Sequence, residues 1–369
     1  MEQWKQYNIG EICDTISETY KGNASDVVLI NTSDVLEGKC LNHTFVANKN
    51  LRGQFKKQFK KNDILYSEIR PANKRYAFID FESTDYIAST KLMVIRSNDK
   101  VLPKYLYYVL QSKEMVEVLQ MLAESRSGTF PQITFSELAI QTILLPEIRE
   151  QSKIVDFLES IDSKIALNRR INDNLEQQAQ AMFKSWFVEN ASYSGVSISE
   201  YFLPNRGKNL LVSDAKGGKT PVVAGGLTPS AFHNVANTKA PVITISASGA
   251  NAGFVNLWGI PVWAADSSYI DSTIVSNIYF WYNLLKYNQK NIYESQTGSA
   301  QPHIYPKHIG NLLIPDLDMR KVKCYESIVT SMYLQINEIQ QETKLLTDLR
   351  DTLLPKLMSG ELKINDLNC

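Results

Sequence analysis

The side chains of this chain best suited to chemistry are cations and amides, bunched where acids are missing. Residues 49–61, KNLRGQFKKQFKK, carry Lys49, Arg52, Lys56, Lys57, Lys60 and Lys61 with no acid among them. Cations at that density neutralise phosphates, the main sequence-independent source of affinity for DNA. Phe55 and Phe59 are interleaved. A solvated basic loop with two aromatics anchored in a core would give the same pattern. Residues 67–75, SEIRPANKR, set Arg70, Asn73, Lys74 and Arg75 around a proline turn. Arginine can grip a guanine edge with two hydrogen bonds, and asparagine can do the same for adenine. In the second half of the chain, ITISASGANAGF (243–254) is a loop of Gly, Ser and Asn after a strand-like run. Small residues let a backbone approach a groove closely; a plain hairpin turn reads the same way. Ser248, Asn251 and the more distant His303 are the candidates for contacts there.

Residues for making or breaking bonds are not visible as a set. There is no Asn-Pro-Pro-Tyr or Asp-Pro-Pro-Tyr of an adenine methyltransferase, and no Gly-x-Gly-x-x-Gly after a strand. Gly218-Lys219-Thr220 looks like the end of a P-loop, but Ser213 stands at the first glycine position and Pro221-Val222-Val223 follow where a helix is required. Ser230 has no Gly-x-Ser-x-Gly elbow. Cys13, Cys40, Cys324 and Cys369 are scattered, which disfavours zinc and fits a reducing cytoplasm. His303 and His308 lack a nearby acidic partner and read as surface residues, not metal ligands. Met1–Gly10 has no signal-peptide pattern, and no apolar run approaches the roughly 20 residues that span a bilayer. The expectation is a cytoplasmic binding protein without a membrane segment and without a metal.

The elements that would position these residues repeat. SRSGTFPQITFSELAIQTILLP (125–146) and SQTGSAQPHIYPKHIGNLLIP (295–315) align Gly128, Pro131, Ile133, Leu138 and Pro146 with Gly298, Pro302, Ile304, Ile309 and Pro315. Upstream of each lie short β-rich runs: Val27–Ile30, Asp63–Ser67, Tyr76–Phe81 and Lys91–Arg96 in the first half, Pro241–Ser246 and Phe254–Leu257 in the second. Pro103–Leu122 has helical spacing; Ile274–Tyr287, rich in aromatics, reads as either strand or helix.

Downstream of each repeat is a heptad seam. The first runs through Ile154, Leu158, Ile161, Ile165, Asn168, Asn172, Leu175, Ala179 and Met182. The second runs through Tyr325, Val329, Met332, Ile336, Ile339, Thr343, Leu346, Arg350 and Leu353. Apolar stripes of that length need covering, and antiparallel pairing of the two helices covers both. Two amphipathic helices, each packed on its own domain, are the alternative. The charge follows the same division. Residues 1–146 and 191–315 carry +1 and +3, and residues 147–190 and 316–369 carry −2 each. The expected fold is α+β, an internal pseudo-twofold repeat of two globular domains (1–146 and 191–315) separated by two long antiparallel coiled-coil helices (147–190 and 316–369).

In this order of parts the chain resembles the specificity subunit of a type I restriction-modification enzyme, over nearly its whole length. The resemblance rests on DILYSEIRPANKRYAFID with YIASTKLMVIR (63–80, 86–96) and on ITISASGANAGFVNLWGIPVWAADSSYI (243–270). It rests also on SGTFPQI and TGSAQPHI, on Glu150-Gln151 leading into IVDFLESIDSKI, and on LRDTLLPKLMSGEL (349–362). The second junction departs, with Asp316-Leu317-Asp318-Met319-Arg320-Lys321 in place of a proline-rich Glu-Gln turn. The family implies a non-catalytic subunit whose two target-recognition domains each read half of a split double-stranded DNA target. It implies that the helices bind two methyltransferase (modification) subunits, and that restriction subunits join them. S-adenosylmethionine, ATP and Mg would belong to those partners, with no cofactor in this chain. Ile154, Leu158, Ile161, Ile165, Leu175, Val329, Ile336, Ile339 and Leu346 would then hold the helices and their partners together. A fused restriction system's specificity subunit, a methyltransferase or nuclease with a cryptic site, and an acidic DNA-mimicking scaffold are the rival readings. The slightly basic modules speak against the last.

Overall fold

Apolar runs without alternation, such as ILYS at 64–67 and VITIS at 242–246, must be covered on both faces if they form strands. In the computed structural model of the chain, Ile64–Ser67 and Val242–Ser246 are strands with every residue buried. The structure describes residues 4–51, 53–125, 131–189, 191–298 and 301–367. Arg52, Gly128 and Cys369, singled out above, lie outside the described residues.

The chain divides into two compact units, Met1–Lys164 with Leu345–Cys369, and Ile165–Lys344. In the first, Ile64–Ser67 pairs antiparallel with Leu92–Ser97 on one side and Tyr76–Phe78 on the other, and Cys13–Ile16 extends the sheet beyond Leu92–Ser97. Side chains alternate along a strand. Ile64 and Tyr66 therefore enter a core shared with helices, while Leu65 enters another with Val94 and Ala77. Val28, Ile30 and Ala88 of a second sheet line that other core. Its order is Phe45–Ala47, Asp26–Ile30, Tyr86–Ser89, Phe55–Lys57, and the two middle strands are parallel.

The second unit follows the same plan. Its main sheet runs Asn205–Arg206, Ser267–Asp271, Val242–Ser246, Val255–Trp258, antiparallel throughout. Its other sheet runs Ala231–His233, Thr220–Val223, Trp263–Ala264, again with one parallel pair. Among the described strands, Phe55–Lys57 has no counterpart there. Both modules fasten their beginning to their end. Lys5–Asn8 pairs with Thr142–Leu145. In the second module, Ile198 N–H donates to Leu312 O at 3.1 Å, and Ile314 N–H to Val196 O at 3.0 Å.

Two expectations need refinement. Pro103–Leu122 is not one helix: Ser112 takes an extended backbone (ψ 146°) and separates Pro103–Gln111 from Lys113–Ser125. The Ile274–Tyr287 segment resolves to a helix, Ile278–Tyr287, begun after a left-handed Asn277 (φ 61°).

The long helices are Ile148–Phe187 and Met319–Ser359, of 40 and 41 residues. Every residue of both heptad seams is buried or half-buried, so packing, not helix propensity, sustains helices of this length. Within the second unit Asn168 Nδ2 donates to Glu342 at 2.7 Å, and Tyr325 Oη donates to Ala179 O at 2.9 Å. Numbers rise on one helix as they fall on the other, which makes the pair antiparallel. Within the first unit Arg350 donates to Asp162 at 2.8 Å. That contact explains an arginine in an apolar seam. Burial works against its charge, and hydrogen bonds to Asp162 and Asp351 outweigh that, holding its pKa above the ordinary value. Asn168 is satisfied in the seam, whereas Asn172 buries its Oδ1 without a partner. No helix among the described residues is long and apolar enough to cross a membrane.

Leu354 and Leu357, near the end of the chain, complete a core with Ile154 and Leu158. Leu357→Ala and Leu158→Ala should each cost about 2–5 kcal/mol in urea unfolding. Removing residues 345–369 should raise amide exchange throughout the first unit, although its own module is untouched. Unchanged protection there would show that the module closes without the distant helix.

Candidate nucleic-acid interface

A loop that leaves a central strand and returns as its neighbour projects from the sheet's end, where loops carry function. In the second module residues 247–254 make this connection between Val242–Ser246 and Val255–Trp258. The repeat's closing segment lies alongside it. Ile304 N–H donates to Ala247 O at 2.9 Å, Gly249 N–H to Pro302 O at 3.1 Å, and Ser248 faces His303 in an antiparallel bridge. Ser248 and His303, chosen separately from sequence, thus meet. The Ser248 hydroxyl donates to Asp266, which Arg206 holds from another side at 2.6 Å. The His303 ring stacks on Tyr305, with centroids 6.1 Å apart. Asn251 is half-buried in the same loop. Its carbonyl accepts from Phe254 N–H at 2.9 Å.

The first module builds the same arrangement from different residues. Residues 68–75 connect Ile64–Ser67 to Tyr76–Phe78. Ile133 N–H donates to Glu68 O at 2.8 Å, Arg70 N–H to Pro131 O at 3.0 Å, and Ile69 faces Gln132 in an antiparallel bridge. The loops have equal length, and each has two left-handed residues at matching places: Arg70 (φ 46°) and Lys74 (φ 53°) in the first, Gly249 (φ 81°) and Gly253 (φ 89°) in the second. Asn73 N–H donates to Arg70 O at 2.8 Å, as Ala252 N–H does to Gly249 O at 3.0 Å.

The residues expected from sequence divide by what they touch. Arg70 and Asn73 are exposed. Lys74 is exposed and pairs with Glu37 at 3.5 Å, a solvated contact of small worth. Arg75 is turned inward, donating to the Ser33 and Val35 carbonyls at 3.1 and 3.4 Å. In the basic run Phe59 is a core residue, 2% exposed. Lys57 donates to Leu92 O at 2.8 Å, and burial lowers its pKa, with Glu68 and Lys91 acting in opposite directions. Lys56 and Lys60 are exposed, and Lys61 lies 3.9 Å from Glu82. Sequence reasoning missed Gln132, exposed opposite Ile69. The signal was present, because Gln132 follows Pro131 as His303 follows Pro302. It also missed the Arg206–Asp266 pair, which has no local pattern. Among the described residues no three His, Cys, Asp or Glu side chains are placed to hold a metal ion.

Two similar modules, each ending its main sheet in the same loop and carried with long antiparallel helices, define a protein built to present two related surfaces. Residues 1–177 match the family described as the type I restriction modification DNA specificity domain. Over 232 residues the chain is 46% identical to the type I restriction enzyme HindI specificity subunit of Haemophilus influenzae, covering 60% of this chain and 49% of that one. It is 25% identical over 323 residues to the MjaIX specificity subunit of Methanocaldococcus jannaschii, covering 73% and 71%. The crystal structure of a type I restriction-modification S subunit from M. genitalium shares the fold, with a TM-score of 0.57 at 22% identity over 97% of this chain and 96% of that one. Over the residues matched, the chain is similar to type I specificity subunits. Its match to the HindI subunit spans about half of that relative's length.

Lys57→Ala and Arg75→Ala should each lower stability by about 1 kcal/mol in urea unfolding, because each removes a donor to a backbone carbonyl. Lys56→Ala should stay within about 0.5 kcal/mol of the parent. A cost at Lys56 equal to that at Lys57 would contradict this division.

Proposed function

We propose that this chain is the non-catalytic DNA-recognition subunit of a type I restriction-modification system, with each module reading one half of a split double-stranded target. The observation that carries this is the duplicated loop, with the same hydrogen bonds to the closing segment in both modules and different side chains on each. Equal backbones give equal approaches to DNA, and unequal side chains give two different half-sites. Lys56, Lys60 and Lys61, in the same module as the first loop, serve as phosphate contacts, supplying affinity without sequence.

The long helices bind two methyltransferase subunits, which bring S-adenosylmethionine, and restriction subunits, which bring ATP and Mg, join the larger complex. Leu345 and Leu349, one turn apart on the second helix and 69% and 46% exposed, support a helix surface made for partners. Chemistry on DNA then belongs to the partners, and this chain sets where it happens.

Co-expressing the chain with a modification subunit and sequencing the host's methylated DNA should return one motif in two parts with an unread gap. Lys56→Ala with Lys60→Ala should reduce the slope of log affinity against log salt by about 2, for target and random DNA alike. An unsplit motif, or methyl transfer by the purified chain alone, would overturn the reading.

A further inference from the structure

We propose that Arg70, Lys74 and Gln132 form the sequence-reading edge of the first module, at the positions that Gly249, Gly253 and His303 hold in the second. This rests on the DNA-recognition function proposed above. The equivalence is fixed by the backbone, since the loops match in length, in left-handed positions and in bonds to the closing segment. The second module shows what that backbone prefers by itself, namely glycine at both left-handed positions. A left-handed conformation is strained for residues with a Cβ and free of that strain for glycine. The first module nevertheless carries an arginine and a lysine there. Their side chains do not complete the turn, which glycine completes in the second module.

The surroundings allow a long side chain to leave the surface at the Arg70 position, whereas a Cβ on Gly253, which matches Lys74, would meet Ile292 Cγ2 at 2.9 Å, so the second module needs glycine there for packing as well as for backbone conformation. Nothing lies within 4 Å of where a Cβ would sit on Gly249, so the position matching Arg70 opens outward. Arg70, Lys74 and Gln132 are all exposed. By contrast the position of Arg75 is an anchoring one in both modules. Arg75 bonds to backbone carbonyls, and its counterpart Phe254 lies under Lys286, 5.0 Å from the ring centroid. The two modules therefore read by different means. The first projects an arginine, a lysine and an amide, groups that grip guanine, phosphate and adenine. The second lays a glycine backbone close to the base edges and reads with Ser248 and His303.

The test uses the full chain with its modification subunit. Arg70→Gly and Gln132→Ala should each relax one position of the first half-site and leave the second half-site unchanged. Each should weaken binding to the target about five- to hundredfold. Arg70→Gly should at the same time keep or raise the urea midpoint of the chain, which a structural arginine would not do. A wild-type motif in both variants, or a lower midpoint in Arg70→Gly, overturns the assignment. If the unaltered complex yields no split motif, the recognition function itself fails and takes this assignment with it.

Discussion

Neither module closes its core with its own residues, and that shortage organises the molecule. In the first unit Leu354 and Leu357 come from the far end of the chain to meet Ile154 and Leu158. In the second, Tyr325, Val329 and Ile336 join Ala179 and Phe183 in the core beneath the aromatic helix Ile278–Tyr287. Each unit therefore needs a length of both long helices. Polar groups then fasten the helices to the modules. Tyr108 donates to Asp162 at 2.8 Å. In the other unit Gln180 and Tyr333 both donate to the side-chain amide oxygen Oδ1 of Asn283, at 2.7 and 2.9 Å. Buried polar groups satisfied in this way tolerate one arrangement only, because a shift would leave several unpaired at once.

The parts of this design written in short-range periodicity were legible from sequence. The seams Ile154–Met182 and Tyr325–Leu353 could be read because a heptad repeats over many turns. The closing segments could be read because proline and isoleucine recur at one spacing. The duplication of the loop beside each closing segment was not visible in the same way. Arg70 and Gly249 share a backbone but no chemistry, and their separation along the chain differs from that of Pro131 and Pro302. The stretch between loop and closing segment is longer in the first module, 61 residues from Arg70 to Pro131 against 53 from Gly249 to Pro302. Nor could composition tell Arg70 from Arg75, five residues apart in one basic cluster. Which of the two donates to backbone carbonyls is decided by the 3-10 turn Thr32–Asp34 and the short strand Val35–Leu36 after it, which bring the Ser33 and Val35 carbonyls to Arg75. Lys57 and Lys56 are separated for the same reason, by the alternation of a strand that the sequence left as a charged run.

The duplication also shows what the loop tolerates. Hydrogen bonds between backbone groups hold it to the closing segment in both modules. None of the side chains that differ between modules takes part in those bonds. Its shape is therefore independent of its chemistry, and residues there can change without the sheet changing.

The clasp that joins each module's first strand to its last has a consequence for inheritance. Lys5–Asn8 lies against Thr142–Leu145, and Val196–Ile198 against Leu312–Ile314, so the chain enters and leaves each module at neighbouring points. Everything between those points can be replaced by the matching stretch of another gene while the ends still meet. Such an exchange moves a complete set of loop side chains together with the sheet that holds them, and leaves the helices as they were. Lineages carrying this architecture can therefore exchange one module's whole set of loop side chains in one recombination event instead of through a series of individually weakened intermediates.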